Sequence, residues 1–196
     1  MKPRLPPRRT RRDDPRHTRA RLVLATAREI EGRGYEGTDS NRIARAAGYS
    51  PGTFYRHFND KREALLAAHH EWVDAEWEAL DALVAGAGPP TERAAAIVDF
   101  LVGHHRRWRR LRASLRALVA TDAEARRRHR EMRRRQLARM NAGPAAPRAR
   151  RAAAALLLLE VERIADALAD GELVALGVEP RLARRHLVDK VVPYLG

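Results

Sequence analysis

The sequence predicts an all-α protein, and three observations support that fold class. Aromatic residues make up only 5% of the chain, whereas Ala, Arg, Leu and Glu, which favour helices, are abundant. Apolar residues recur at helical spacing along most of the chain. Capping residues, prolines and glycines divide these periodic segments into about nine expected helices, and no segment has the alternating pattern of a convincing strand.

The first expected helix has clear signals at both ends. Asp14 is placed to cap it, and Pro15 occupies the first helical position, where a missing N–H costs nothing. Apolar residues then follow helical spacing until Gly32 and Gly34, which end the helix.

Two short helices joined by a turn are expected next. The first is predicted to be capped by Thr38 and to run to about Ala47, and Gly48 follows where a left-handed residue would end it. Ser50 is predicted to cap the second, which covers residues 51–58 and begins with a proline. Helices this short bury little surface by themselves, so such a pair usually presents its second helix to a partner.

The rest of the chain is expected to be helical with short loops. Asp60 with Glu63, and Thr121 with Glu124, have the spacing of capping boxes. The expected helices begin at or near Asp60, Thr91, Trp108, Thr121, Ala152 and Pro180.

The composition restricts the possible functions. A formal net charge of +14 favours anionic partners, nucleic acid first, although a GC-rich genome would by itself give many arginines on solvated helix faces. With no cysteine, disulfides, thiolate catalysis and cysteine-based zinc sites are excluded. No metal, phosphate-loop or nucleophile motif is present, so neither an enzyme nor a cofactor is expected. The lack of a bilayer-length apolar run or a secretory signal predicts a cytoplasmic protein without a membrane partner.

The segment of residues 34–66 resembles the N-terminal region of TetR-family transcriptional regulators. The matching residues keep the spacing of that family's pattern and include Gly34-Tyr35, Thr38, Ile43-Ala44, Ala47-Gly48-Tyr49-Ser50, Gly52-Thr53-Phe54-Tyr55, His57-Phe58, Lys61 and Leu65-Leu66. The resemblance covers about a quarter of the chain. It implies a helix-turn-helix domain that binds double-stranded DNA at a pseudo-palindromic operator.

The residues suggest how this domain is built. Phe54 and Phe58 lie four apart, on one helix face, and are expected to pack against Ile43 and Tyr49 in a small core. The other residues of the second helix are then left at its outward end and flank. One departure from the family pattern stands nearby, since Ser40 and Arg42 replace the usual apolar and acidic residues.

The resemblance assigns DNA contacts to particular residues. Backbone contacts are expected from Thr38, Tyr55, His57 and Lys61, base contacts from Ser40, Asn41, Gly52 and Thr53, and further contacts from Arg42, Ser50, Pro51 and Arg56. Two of these residues have simpler explanations, because Thr38 also suits a helix cap and His57 also suits a local hydrogen bond.

Three domains are expected. Residues 1–13 form a disordered basic arm that either reaches along DNA or is a passive tail. Residues 14–60 form the DNA-binding domain, and by the resemblance residues 61–196 bind an unknown small-molecule effector and a second copy of the chain. The effector pocket is expected among Trp72, Phe100, His104, Trp108, Leu115, His129 and Met132.

A homodimer is expected because the segment 152–169 is apolar on too many faces for a lone surface helix. The predicted interface residues are Leu156, Leu159, Arg163, Leu187 and Val191. The alternative is a central core helix without a dimer.

Two functions remain open from the sequence. The first is a sequence-specific repressor that a small molecule releases from DNA. The second is an architectural or nonspecific nucleic-acid-binding protein that uses the arginine excess, for which affinity would be similar on any sequence and steeply salt-dependent.

Overall fold

The fold is all-helical, as predicted. A computed structural model describes residues 14–195, which form ten α-helices and one 3-10 helix and contain no strand. The expected basic arm of residues 1–13 lies outside the described residues. None of the helices within 14–195 combines the length and hydropathy that a bilayer crossing requires.

The chain divides into two compact units. The first includes the described residues up to His69, and the second begins at His70. One helix, α4 (Lys61–Val84), continues through this division. The domain boundary expected after residue 60 remains a prediction.

The first unit contains three complete helices and the start of α4. These helices are α1 (Pro15–Arg33), α2 (Ser40–Ala46) and α3 (Pro51–Tyr55). Asp14 caps α1 by accepting a hydrogen bond from the backbone N–H of Arg16, and Gly34 ends the helix with φ +78°. Helix α3 is shorter than expected, because the backbone N–H of His57 bonds to the carbonyl of Phe54 and tightens the chain into a turn.

The cap of α2 differs from the prediction. Asp39, not Thr38, accepts the hydrogen bond from the backbone N–H of Arg42, at 2.8 Å. A carboxylate suits this position because it also interacts favourably with the positive end of the helix dipole. Thr38 is buried, and its Oγ1 has no hydrogen-bond partner within the described part of the chain.

The interior of the first unit is the small core that the aromatic spacing predicts. Phe54, Phe58 and Ile43 are almost completely buried, and the two phenyl rings lie 5.5 Å apart between centroids. Tyr49 is only half-buried, and the guanidinium group of Arg21 lies over its ring at 5.2 Å. Burial of these rings holds α2 and α3 together despite their short length.

The second unit contains the remaining helices. After the end of α4 these are α5 (Pro90–Arg107), α6 (Arg109–Thr121), α7 (Ala123–Arg139), α8 (Arg148–Asp170), α9 (Glu172–Ala175) and α10 (Pro180–Val191), followed by a 3-10 turn at Val192–Tyr194. Helix α5 packs against α8 and α10, and α7 packs against α6 and α8.

Two expected caps in this unit are wrong. Helix α5 begins at Pro90 with Pro89 in the cap position, so Thr91 lies inside the helix. Asp122 caps α7 by accepting from the backbone N–H of Ala125, whereas Thr121 ends α6 and donates its hydroxyl to the Ala117 carbonyl. In both α2 and α7 an aspartate next to the expected threonine is the cap.

The turn between α2 and α3 gives a test of the fold. Gly48 has φ +78°, and an added Cβ would also lie 3.1 Å from the Arg21 guanidinium. We expect Gly48→Ala to destabilise the protein by about 1–2 kcal/mol, because L-residues disfavour this conformation. Gly32→Ala is the matched control in the same unit, since an added Cβ there meets nothing within 4 Å. Urea unfolding followed by circular dichroism measures both; equal effects would contradict the assignment.

Candidate nucleic-acid interface

Helix α3 is held at its start by a chain of hydroxyl hydrogen bonds. The Ser50 Oγ accepts from the backbone N–H of Thr53 at 3.3 Å and lies 3.1 Å from the Thr53 Oγ1. The Arg56 guanidinium donates to that same Thr53 Oγ1 at 3.1 Å. One threonine hydroxyl therefore connects the cap of the helix with the arginine at its end.

The expected DNA-contacting residues differ in exposure. Those on the surface are Asn41, Ser50, Pro51, Gly52, Tyr55 and Arg56. Those partly buried are Ser40, Arg42, His57 and Lys61. Thr38 and Thr53 are buried, although Thr53 was expected on the outward side of α3. The Thr53 hydroxyl contacts the Ser50 hydroxyl and the Arg56 guanidinium, so neighbouring side chains cover it.

Tyr55 is the most prominent apolar side chain on this surface. Its side chain is 56% exposed, and its ring packs edge-on against Phe54 with centroids 5.5 Å apart. A buried neighbour thus orients the ring and leaves the tyrosine exposed. This arrangement makes the phenol hydroxyl available as a hydrogen-bond donor to an external acceptor.

Lys61 is bound to the loop that precedes α2. Its Nζ donates to the carbonyl oxygens of Tyr35 at 2.8 Å and Thr38 at 3.2 Å. The same ammonium lies 4.1 Å from the centroid of the Tyr35 ring and 3.7 Å from a Glu36 carboxylate oxygen. Lys61 therefore fixes the start of α4 to the loop before α2, a contact that no sequence pattern indicated.

The charge state of His57 is set by its surroundings. Burial lowers the pKa of His57, and the nearby positive charges of Arg56 and Arg19 lower it further. The imidazole is therefore mainly neutral at pH 7, and it donates or accepts a hydrogen bond rather than adding charge.

Two basic residues of α1, Arg19 and Arg21, lie against aromatic side chains of this unit, although no sequence motif marks them. The Arg19 guanidinium lies 5.1 Å from the centroid of the Phe58 ring, and Arg21 covers Tyr49 as described. Their positive charge alone could not mark them out in a chain with so many arginines.

Comparison with known proteins identifies the first unit. A sequence model of bacterial regulatory proteins of the tetR family matches residues 22–68. Over these residues the N-terminal unit is similar to TetR-family regulators. The resemblance predicted from residues 34–66 is thus confirmed. No curated protein sequence matches the chain closely enough to count as a relative.

Solved structures extend the TetR likeness to the whole fold. A transcriptional regulator from Rhodococcus sp. Rha1 is 25% identical, with a TM-score of 0.68 over 90% of this chain and 95% of that chain. A TetR family transcription regulator from Marinobacter aquaeolei VT8 is 23% identical, with a TM-score of 0.59 over 92% and 97%. A protein from Saccharomonospora viridis, solved in complex with choline, is 19% identical, with a TM-score of 0.67 over 89% and 95%. The chain has the fold of a TetR-type DNA-binding regulator.

The second unit of this TetR-type fold contains a buried polar cluster. His105 is fully buried on α5; its Nδ1 lies 3.0 Å from an Asp166 carboxylate oxygen on α8, and its Nε2 lies 3.5 Å from a Glu76 carboxylate oxygen on α4. Arg112 on α6 binds Asp166 with two hydrogen bonds of 2.7 and 3.1 Å. Arg116 adds a third at 2.6 Å. Four helices therefore meet at one set of charges.

The charges of this cluster shift the pKa values of its own members. Burial opposes ionisation of Asp166, but the adjacent imidazole of His105 and the hydrogen bonds from Arg112 outweigh it and hold the pKa of Asp166 far below its usual range. Burial likewise opposes charge on His105, yet the Asp166 and Glu76 carboxylates raise the pKa of this imidazole. For the neighbouring His104, burial dominates and lowers the pKa. Within residues 14–195, no group of three potential ligands is arranged to hold a metal ion.

The residues expected to line an effector pocket are buried or partly buried, but most of them do not border the cavity of the second unit. His104 stacks between two aromatic rings, with its centroid 4.8 Å from Trp72 and 5.3 Å from Phe100. Leu115 and Met132 are buried, and Trp108 and His129 are partly buried. A cavity of about 180 Å³ lies beside α4 and α7, and Met132 is the one residue of this expected set among its lining residues.

The residues expected at a dimer interface also fall into two groups. Leu156 and Leu159 on α8 are 67% and 57% exposed. Leu187 and Val191 on α10 are buried within their own unit, so their expected place on an interface surface is wrong. The Arg163 guanidinium is exposed and binds Glu172 at 2.5 Å.

The Asp166 cluster predicts a pH-dependent stability. At about pH 6 we expect Asp166→Asn to lower the free energy of unfolding by about 3–5 kcal/mol, because the buried Arg112 loses its carboxylate. The loss should shrink toward about pH 9. A raised His105 pKa stabilises the wild type fully below about pH 6.5, and this contribution disappears as the pH rises through the folded-state pKa.

Urea unfolding at both pH values measures this difference. Asp99→Asn is the matched control, because Asp99 forms a similar two-bond pair with Arg184 at 2.5 Å but on the surface. Its loss should stay below about 1 kcal/mol at either pH. A loss for Asp166→Asn that is as small as that of the control would refute the structural role of the cluster.

Proposed function

We propose that this protein is a homodimeric, sequence-specific repressor whose binding to a pseudo-palindromic operator is relieved by a small molecule. The observation that carries the proposal is the surface of α3, where Gly52, Tyr55 and Arg56 are exposed while Phe54 anchors the helix from below. A helix held in this way, in a chain with net charge +14, suits the major groove of duplex DNA.

The proposed contacts follow the exposure of the side chains. Tyr55 and His57 bind phosphate oxygens, with Arg56, Ser50 and Pro51 beside them. Asn41, Ser40 and Gly52 approach base edges, and Arg42 adds charge at their side. Thr38, Thr53 and Lys61 act mainly by holding α2 and α3 in place, since the first two are buried and the ammonium of Lys61 already binds two carbonyl groups.

A dimer places two copies of α3 on one operator. The exposed leucines of α8 supply an apolar surface, and Leu182 on α10 is also exposed, at 54%. A two-fold pairing of such surfaces positions the reading helices for successive major grooves.

Relief by an effector requires only unequal affinity for two states. Helix α4 begins in the DNA-binding unit and ends in the second unit, so a change along it reaches both. A ligand that binds better to the DNA-incompetent state weakens operator binding by the ratio of its two affinities. The complex of the Saccharomonospora viridis protein with choline supports a small-molecule site in this fold.

Removing the phenol hydroxyl of Tyr55 tests the role of α3 in operator binding. We expect Tyr55→Phe to weaken binding about fivefold on operator and on unrelated DNA alike, because a phosphate contact of about 1 kcal/mol carries no sequence information. Fluorescence anisotropy with an operator isolated from genomic fragments measures this. Tyr194→Phe is the control, since Tyr194 is 42% exposed at the other end of the chain.

The same assay separates the two functions considered from the sequence. A repressor protects one discrete palindromic site and binds it far more tightly than random DNA at equal salt. Equal affinity for every fragment, with a steep salt dependence, would instead support a nonspecific binder. An unchanged affinity of Tyr55→Phe on all DNA would refute the proposed phosphate contact.

Introducing a negative charge at the proposed interface tests the dimer. We expect Leu156→Glu to give monomers in analytical ultracentrifugation, because an unpaired carboxylate buried in an apolar interface costs several kcal/mol. Leu24→Glu introduces the same change at a leucine of α1 that is 46% exposed, and it should leave the dimer intact. A wild-type chain that sediments as a monomer would rule out the dimer.

A further inference from the structure

The cavity beside α4 and α7 has one apolar wall. Val73 and Trp77 come from α4 and Met132 comes from α7, and all three side chains are almost completely buried. Together these side chains offer an occupant an apolar surface.

The charged residues of the cavity leave an excess of positive charge. Asp74 is the one acidic residue of the lining, and the Nδ1 of His70 lies 3.0 Å from its carboxylate. Arg139 lies 3.8 Å from Asp81, at the limit of an ion pair, and is 41% exposed. Arg135 is exposed and has no ion pair among the described residues. Two guanidinium groups therefore border a space that has one acidic lining residue.

The aromatic wall is unsuited to a cation. A cationic ligand would need the face of Trp77. The Arg139 guanidinium already lies 5.9 Å from the centroid of that ring. A second positive charge at this place would be repelled, whereas a negative charge would gain from Arg139 and Arg135 together.

The size of the cavity limits its occupant. Its volume of about 180 Å³ lies below the range of roughly 300–1,000 Å³ for sites that hold drug-sized molecules. The occupant is therefore a small molecule with one compact apolar part.

We propose that this cavity binds a small organic anion, with its carboxylate on Arg135 and Arg139 and its apolar body against Val73, Trp77 and Met132. The inference rests on the proposed function, because it names the chemical class of the effector. The ligand contacts α4 and α7 at once, and α4 is the helix that continues into the DNA-binding unit. A preference of the ligand for one arrangement of these helices is the coupling that relief requires.

The test is calorimetric titration of the full chain with probes of equal shape and different charge. Benzoate carries the carboxylate, benzamide is its neutral analogue, and choline is a cation. We expect benzoate to bind at least tenfold more tightly than benzamide, and choline not to bind. Arg135→Gln and Arg139→Gln should each weaken benzoate roughly tenfold and leave benzamide unchanged, since a charge-assisted hydrogen bond is lost in each.

Arg134→Gln is the matched control, because Arg134 is an exposed arginine of α7 outside the cavity lining. Its benzoate affinity should equal that of the wild type. The anion site would be overturned if benzamide bound as tightly as benzoate, if choline bound more tightly, or if Arg134→Gln lost as much affinity as the cavity variants. It would also be overturned if neither benzoate nor hexanoate, an aliphatic carboxylate, bound at millimolar concentration.

An operator-release assay separates this inference from the proposed function. Binding of benzoate that depends on Arg135, without release of DNA, would support the anion site and refute effector relief through it. Release of DNA by choline without any binding of carboxylates would refute the anion site and leave effector relief standing.

Discussion

The second unit depends on one buried ion cluster around Asp166. Its carboxylate binds Arg112 and Arg116 from α6 and lies beside the buried imidazole of His105 from α5, which in turn faces Glu76 of α4. Removing one partner from such a set leaves a charge without water or counter-ion, which is far more costly than losing a surface pair. The relative positions of these four helices are thus linked to the ionisation of one aspartate.

In the first unit, α2 and α3 are too short to be stable alone, so they depend on contacts with other segments. Burial of Phe54 and Phe58, the Ser50 cap and the clamp that Lys61 forms on the preceding loop together keep α3 in place. Phe54 and Phe58 are buried, whereas Gly52, Tyr55 and Arg56 are exposed. Core packing and the proposed recognition therefore use different residues of one short segment.

Several features of this site were predictable because their physical cause is local. A cap acts within three residues, and aromatic residues four apart share a helix face, so Ser50, Gly48 and the Phe54–Phe58 pair followed from the sequence. Thr38 and Thr121 were misassigned because an aspartate stands next to each, and a local rule cannot rank two adjacent capping residues. The contacts of Lys61 could not be predicted, because they join it to segments more than twenty residues away.

The sequence by itself determined the helical class, the turn that begins at Gly48 and the TetR-type DNA-binding motif, because these depend on backbone preferences and on residue spacing within a few turns. Only the tertiary structure decided which leucines of α8 and α10 face solvent, that Glu76, His105, Arg112 and Asp166 meet, and that Arg135 and Arg139 border the same cavity as Trp77. Such contacts join residues as far apart in the sequence as His105 and Asp166, or Trp77 and Arg139. Helical periodicity states that a face is apolar or charged, but the packing of other helices decides what that face meets.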